Sequence, residues 1–245
     1  MIRAGLLIWA ARDGFLGMAA APAVDRMLRH VLKHLQRGTR PNRPLVVGVQ
    51  GPQGSGKTYL TTALRDKLIS LNPPHNLSVA LISLDDLYLP HSQLARVASD
   101  HPYNPLLQGR GQPGTHDVPL GTQVLNSLRQ INGPDAEGTV SIPIFDKSLH
   151  SGEGDRIQQT TVVNRPLDVI IMEGWCIGFY PVPPETIEQR YASNGGPRSS
   201  FTYRKEDVHE INELLRPYVL WWSAFDTLIQ VSFPQKLGHS SHRSQ

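Results

Sequence analysis

Eight consecutive residues, Gly51-Pro52-Gln53-Gly54-Ser55-Gly56-Lys57-Thr58, fit the pattern G-x-x-x-x-G-K-[ST]. The chemistry such a string supports is capture of a nucleoside triphosphate. Its glycines let the backbone wrap a phosphate with successive N–H groups pointing inward, and a helix N-terminus adds a favourable dipole. In that arrangement Lys57 reaches the β- and γ-phosphates and the Thr58 hydroxyl holds Mg²⁺. Tyr59 follows directly, so the expected nucleotide-binding stretch is residues 51–59. The loop needs a strand before it and a helix after it. Leu45-Val46-Val47-Gly48-Val49-Gln50 is an apolar run of strand length, and Leu60, Leu64 and Leu68 recur at helical spacing.

Other chemistry-bearing residues stand where further apolar runs end. Residues 79–84 read as a buried strand that runs straight into Asp85-Asp86-Leu87-Tyr88. A carboxylate there can accept the proton of an attacking hydroxyl and help order Mg²⁺. A helix N-cap is the other reading, and it suits Asp86 better than Asp85. Residues 167–172 read as another strand, ending on Glu173-Gly174. An acid at that point orders the water shell of Mg²⁺ or polarises a nucleophile. Arg110, Lys147 and Arg156 lie in segments that can face an anionic acceptor, and a guanidinium suits a carboxylate or phosphate through two parallel hydrogen bonds. Taken singly, each also reads as a solvated surface charge. His116, within Thr115-His116-Asp117, can orient a substrate oxygen or simply be structural.

These residues need one scaffold. The 245-residue chain is long enough for one large α/β domain, and 39% hydrophobic with 18% charged residues is a globular composition. A net charge of +3 suits anionic ligands and is too weak to imply nucleic acid. A single cysteine, Cys176, excludes an internal disulfide and fits a reducing compartment, with burial as a small hydrophobe its plain role. No stretch approaches the ~20 apolar residues of a membrane span. The default expectation is therefore a cytoplasmic protein. The run Gly5-Leu6-Leu7-Ile8-Trp9-Ala10-Ala11, flanked by Arg3 and Arg12, leaves organelle targeting open.

Residues 1–20 are expected to be a flexible tail or weak targeting segment, 21–235 a single domain, and 236–245 a disordered polar tail. An amphipathic helix is predicted over residues 24–35, with Arg40-Pro41-Asn42-Arg43-Pro44 breaking the chain after it and Asn72-Pro73-Pro74 closing the helix that follows the glycine-rich loop. Residues 91–121 hold many Gly, Pro and His and read as a long loop or short helices, a usual place for function. A strand over 140–145 contains Pro143, which makes it an edge or bent strand. Residues 190–204 read as an exposed insertion, 206–222 as helical and 227–232 as a last strand. Strands alternating with helices predict a doubly wound parallel sheet with helices on both faces, the phosphate-loop NTPase and kinase fold.

Taken together, the motifs resemble the phosphoribulokinase/uridine kinase branch of phosphate-loop kinases, and most closely the D-glycerate 3-kinase family with its fungal homologues. The matching stretches are residues 51–58, Ser83-Leu84-Asp85-Asp86-Leu87-Tyr88, Gly114-Thr115-His116-Asp117-Val118-Pro119-Leu120, Phe145-Asp146-Lys147-Ser148 with Gly154-Asp155-Arg156, and Glu173-Gly174-Trp175. The resemblance implies ATP and Mg²⁺ as ligands, with transfer of the γ-phosphoryl group to a small hydroxy acid such as D-glycerate. It implies no nucleic-acid partner. By position it implies Asp85 as catalytic base, Lys57 on the phosphates, and Thr58, Asp85 and Glu173 as Mg²⁺ contacts. Tyr88, Arg110, His116, Asp117, Asp146, Lys147 and Arg156 fall in acceptor segments, about 88–121 and 145–160. The family pattern continues past the last strand into an arginine-bearing lid and further helices, whereas here residues 227–233 precede a short polar tail. The expectation is a chain truncated at its C-terminus. The alternative function is then a nucleotide-binding relative with little or no turnover. A GTP switch is disfavoured, since no N-K-x-D string is present to read guanine.

Overall fold

The computed structural model describes residues 6–10, 16–37, 42–71, 76–193 and 203–232. The expectations for residues 72–74, 236–245, most of the insertion and much of the N-terminal stretch lie outside them. Strand β1 is Leu6–Ala10, helix α1 Leu16–Arg37, strand β2 Leu45–Gln50, helix α2 Lys57–Ile69 and strand β3 Val79–Ser83. Helices α3, His91–Asp100, and α4, Val118–Gln130, precede strands β4, Thr139–Asp146, β5, Asp155–Asn164, and β6, Val169–Gly174. Helices α5, Pro184–Ser193, α6, Lys205–Leu214, and α7, Val219–Trp222, lead to strand β7, Thr227–Ser232.

Five strands form one parallel sheet in the order β1-β7-β2-β6-β3. Strand β2 lies at its centre, which is why its sequence is an unbroken apolar run: both faces are covered. Side chains alternate between those faces. Val47, Val49, Ile171, Ile229 and Val231 pack with Leu60, Leu64 and Leu68 of α2 and with Met27 and Val31 of α1. Val46, Ile170, Met172, Ala80 and Ile82 pack on the other face with Leu125 and Leu128 of α4 and with Trp221 and Trp222. The buried indoles are satisfied, Trp221 Nε1 donating to Thr122 Oγ1 at 2.9 Å and Trp222 Nε1 to the Phe179 carbonyl at 2.7 Å. Among the described residues no helix is long and apolar enough to cross a membrane.

The structure departs from the sequence expectations in three places and decides between the alternatives in a fourth. Leu6–Ala10, within the expected flexible tail or targeting segment, is a strand paired in parallel with β7. The stretch 91–121, expected as a long loop or short helices, takes the helical form: Pro90 precedes α3, and Asp117 starts α4 by accepting from the Leu120 N–H at 3.1 Å. The strand expected over 140–145, as an edge or bent strand, lies outside the five-stranded sheet. It belongs to β4, which pairs with β5 as a separate antiparallel ribbon whose register slips between Pro143 and Phe145. Pro143 has no N–H to give to a ladder, so the slip falls there. The helix expected over 206–222 divides in three, with a 3₁₀ turn at Arg216–Tyr218 around Pro217.

Candidate active site

The glycine-rich loop sits at the C-terminal end of β2 and hands over to α2 at Lys57. Gly54 and Gly56 both have φ of 75°, a left-handed conformation that costs other residues steric strain. Three polar atoms around this loop are buried without a partner: Gln50 Oε1, Ser55 Oγ and Glu173 Oε2. Glu173, 2% exposed, is the penultimate residue of β6, beside β2. Its Oε1 accepts from Thr58 Oγ1 and from Ser83 Oγ, each at 3.0 Å. Burial pushes the Glu173 carboxyl above its ordinary value, opposed by Ser83, Thr58 and the Lys57 charge.

A hard cation fits here. The Thr58 hydroxyl and the Glu173 carboxylate are oxygen donors of the kind Mg²⁺ prefers, and the unused Oε2 leaves a buried acceptor to be satisfied. Among the described residues no cluster of three or more His, Cys, Asp or Glu could hold a metal. Mg²⁺ would accordingly complete its shell with waters and phosphate oxygens, its usual habit.

Asp85 and Asp86 lie in a 3₁₀ turn, Leu84–Leu87, that follows β3 directly. The cap expected of Asp86 falls to Ser83, whose hydroxyl accepts from the Asp85 N–H at 3.3 Å. Asp86 turns away and accepts from the Phe145 N–H at 3.2 Å. Burial raises the Asp86 carboxyl. Asp85 forms an ion pair with Lys147 at the end of the β4–β5 ribbon. Burial pushes its carboxyl up, but hydrogen bonding and charge from Lys147, with the Tyr88 hydroxyl behind them, bring it below its ordinary value. Tyr88 is pushed up by burial and by Asp85, so its hydroxyl stays protonated beside Asp85 in the cleft wall.

A cleft of about 660 Å³ opens between the glycine-rich loop and this turn. Gln53, Asp85, Tyr88, His91, Arg110 and Lys147 line it. The cleft thus brings one residue of the nucleotide loop, Gln53, and three of the sequence-predicted acceptor residues to one space. Arg110 reaches across to the β4–β5 turn, its Nη1 donating to the Gly152 carbonyl at 2.6 Å and to that of Glu153.

The other four predicted acceptor residues stand outside the cleft lining. His116 is 4% exposed and lies behind Tyr88. Asp117 caps α4 and pairs with Arg156 at 3.1 Å. Arg156 also donates to the Tyr88 carbonyl at 2.7 Å, so this pair fixes the turn that carries Tyr88. Asp146 accepts from Ser148 N and Ser148 Oγ at 2.8 and 2.6 Å and organises its own turn. Cys176 is fully buried, and burial pushes its thiol up to about 12.

Two participants escaped the sequence reading. Gln50 ends β2, donates to the Trp175 carbonyl at 3.0 Å and leaves its own carbonyl oxygen unpartnered beside the loop. Its position at the C-terminal end of the central strand was a readable signal. His91 opens α3, lines the cleft and meets Glu153 at 2.6 Å. The Pro90 before it was the readable sign of a helix start.

No protein-family model matches the chain. Over 164 residues it is 42% identical to the "Uncharacterized kinase mug58" of Schizosaccharomyces pombe, covering 65% of this chain and 56% of that one. Over 148 residues it is 39% identical to the chloroplastic D-glycerate 3-kinase of Arabidopsis thaliana, covering 59% of this chain and 31% of that one. The solved D-glycerate 3-kinase from Cryptococcus neoformans var. grubii matches with a TM-score of 0.77 at 40% identity, over 85% of this chain and 72% of that one. The chain spans 31% to 56% of the length of these two curated relatives.

Proposed function

The chain belongs to the D-glycerate 3-kinase family, and from that premise we propose that it transfers the γ-phosphoryl group of ATP to a hydroxyl of a small anionic hydroxy acid, D-glycerate giving 3-phosphoglycerate. The observation that supports this reading best is the shared cleft, where Gln53 of the nucleotide loop faces Asp85, Lys147 and Arg110. A nucleotide loop alone would serve a switch or a motor equally well.

In the proposed reaction the loop N–H groups and Lys57 hold the β- and γ-phosphates. Thr58 and Glu173 would hold Mg²⁺, with Asp85 near enough to affect the charge on Glu173. When bound, Mg²⁺ neutralises charge on the β- and γ-phosphate oxygens. Asp85 accepts the proton of the acceptor hydroxyl as its oxygen bonds to the γ-phosphorus and the bond to the β,γ-bridging oxygen breaks, ADP leaving. Lys147 starts on Asp85, and a carboxylate-bearing acceptor offers it a second anion to hold.

The purified chain with Mg-ATP is expected to release ADP when D-glycerate is added and to form 3-phosphoglycerate in equal amount, read by a coupled assay and by ³¹P NMR. Tight ATP binding with no ADP release above the acceptor-free rate, for D-glycerate or any other short hydroxy acid, would overturn the kinase reading.

A further inference from the structure

Behind Asp85 a buried row of side chains runs inward from the cleft wall: Tyr88, which lines the cleft, then His116 and Tyr218, which do not. Tyr88 follows the turn that carries Asp85, and His116 comes just before α4; their backbones meet in an isolated antiparallel bridge. The two rings stack with centroids 4.4 Å apart and planes 20° from parallel. Tyr218 stands edge-on to His116 from the far side, at 5.5 Å and 88°. Its hydroxyl oxygen is 2.8 Å from His116 Nδ1. All three rings are almost wholly buried, Tyr88 at 3%, His116 at 4% and Tyr218 at 0% exposure.

Donor counting places the protons. The Gly114 N–H donates to the Tyr218 oxygen at 2.9 Å. The hydroxyl has one proton of its own, and directing it at Nδ1 pairs all three groups. Nδ1 is then the acceptor, and the imidazole proton sits on Nε2. Burial presses the His116 pKa down to about 3, so the ring carries no second proton. Nε2 is itself buried and has no partner. The neutral state matters for the neighbour, because a positive charge on His116 would act on Asp85. An imidazolium there would compete for the Asp85 carboxylate, whereas a neutral ring leaves that charge free to take a proton from the acceptor.

We propose that Tyr218 and His116 are positioning residues for Asp85. Tyr218 holds His116 as the neutral Nε2–H tautomer, and that ring holds Tyr88 flat so that the Tyr88 hydroxyl stays beside the Asp85 carboxylate in the cleft wall they share. The inference rests on the reading of Asp85 as the base. Two further contacts support it by leaving Tyr88 little other freedom: Arg156 grips its carbonyl at 2.7 Å, and Phe145 meets its ring edge-on at 5.2 Å.

The test combines a spectrum with a mutant cycle. In ¹⁵N-histidine-labelled protein at neutral pH, the signal that disappears in His116→Gln is expected to show protonated Nε2 and bare Nδ1. Tyr218→Phe keeps the ring that packs 5.0 Å from Trp221 but removes the hydroxyl, and should convert that signal to a mixture of tautomers. It is expected to lower kcat on the order of tenfold with both KM values within about twofold. Tyr88→Phe should lower kcat at least as much, and the double variant no further, because both act through one contact. A wild-type His116 protonated on Nδ1, or on both nitrogens, overturns the inference. So does an unchanged kcat in Tyr218→Phe, or additive losses in the double variant. The spectrum is read without substrate, so a wrong tautomer is distinguished from a failure of the kinase reading, which shows as absent turnover in the unmodified chain.

Discussion

Asp85→Asn is expected to lower kcat about 10³-fold while ATP binds within about twofold of its original affinity. The substitution keeps the shape of the side chain and removes only its capacity to take a proton. Asp85 is not part of the glycine-rich loop, so nucleotide affinity has little reason to change. Steady-state ADP release and equilibrium binding of a fluorescent ATP analogue separate the two quantities. A loss of less than tenfold would remove Asp85 from the role of base. The pH dependence carries a second signature of the same group. A base at Asp85 must be a carboxylate, so activity is expected above the Asp85 pKa and is expected to be lost as pH falls through it. Burial raises that pKa, and Lys147 opposes it most strongly, leaving a net lowering. Lys147→Met deletes both the hydrogen bond and the charge, so burial dominates and the acid limb of kcat should move to higher pH. A limb that stays in place, or moves down, would show that some other group sets it.

What the sequence made legible was whatever carries its own local requirement. The phosphate loop was one such element, because Gly54 and Gly56 occupy a left-handed conformation that few other residues take. Strands β2 and β6 were another, since burial on both faces demands unbroken apolar runs that end where polar residues begin; β3, at the sheet edge and buried at alternate residues, is a shorter apolar run of the same kind. Asp85 and Glu173 were therefore findable as the first acids beyond an apolar strand. The acceptor side was legible only as a pair of segments. Strand β5 is exposed along most of its length, so its sequence has no alternation to mark it as a strand. Which cation faces the cleft is decided by pairings across the chain. Arg156 meets Asp117 across 39 positions and His116 meets Tyr218 across 102, and no local pattern encodes either. Helix α3 buries one large apolar residue, Leu94, so its periodicity was too sparse to separate it from a loop.

Lys57→Ala is the substitution expected to remove the most activity for the least structural disturbance. Lys57 is the first residue of α2, partly exposed, and its stem is not part of either apolar core cluster. The fold should tolerate the change, with a melting temperature shifted by no more than about 2 °C. The chemistry should not. Phosphoryl transfer depends almost wholly on positioning and on neutralising charge at the migrating group, and one preorganised charge partner is worth about 10²–10³ in rate. The loss compounds at Glu173. The Lys57 charge is among the influences that hold the Glu173 carboxyl down against burial, so without it Glu173 is driven further toward its neutral form. A protonated Glu173 is a poor partner for Mg²⁺. The expected result is therefore a fall of about 10³-fold or more in kcat/KM for ATP, together with weaker ATP binding. Lys57→Arg should recover only part of it, because the charge returns on a planar fork larger than the ammonium the loop is built around. Acceptor-stimulated ADP release within tenfold of the unmodified chain in Lys57→Ala would mean that the loop of residues 51–58 is not where the transferred phosphate is held.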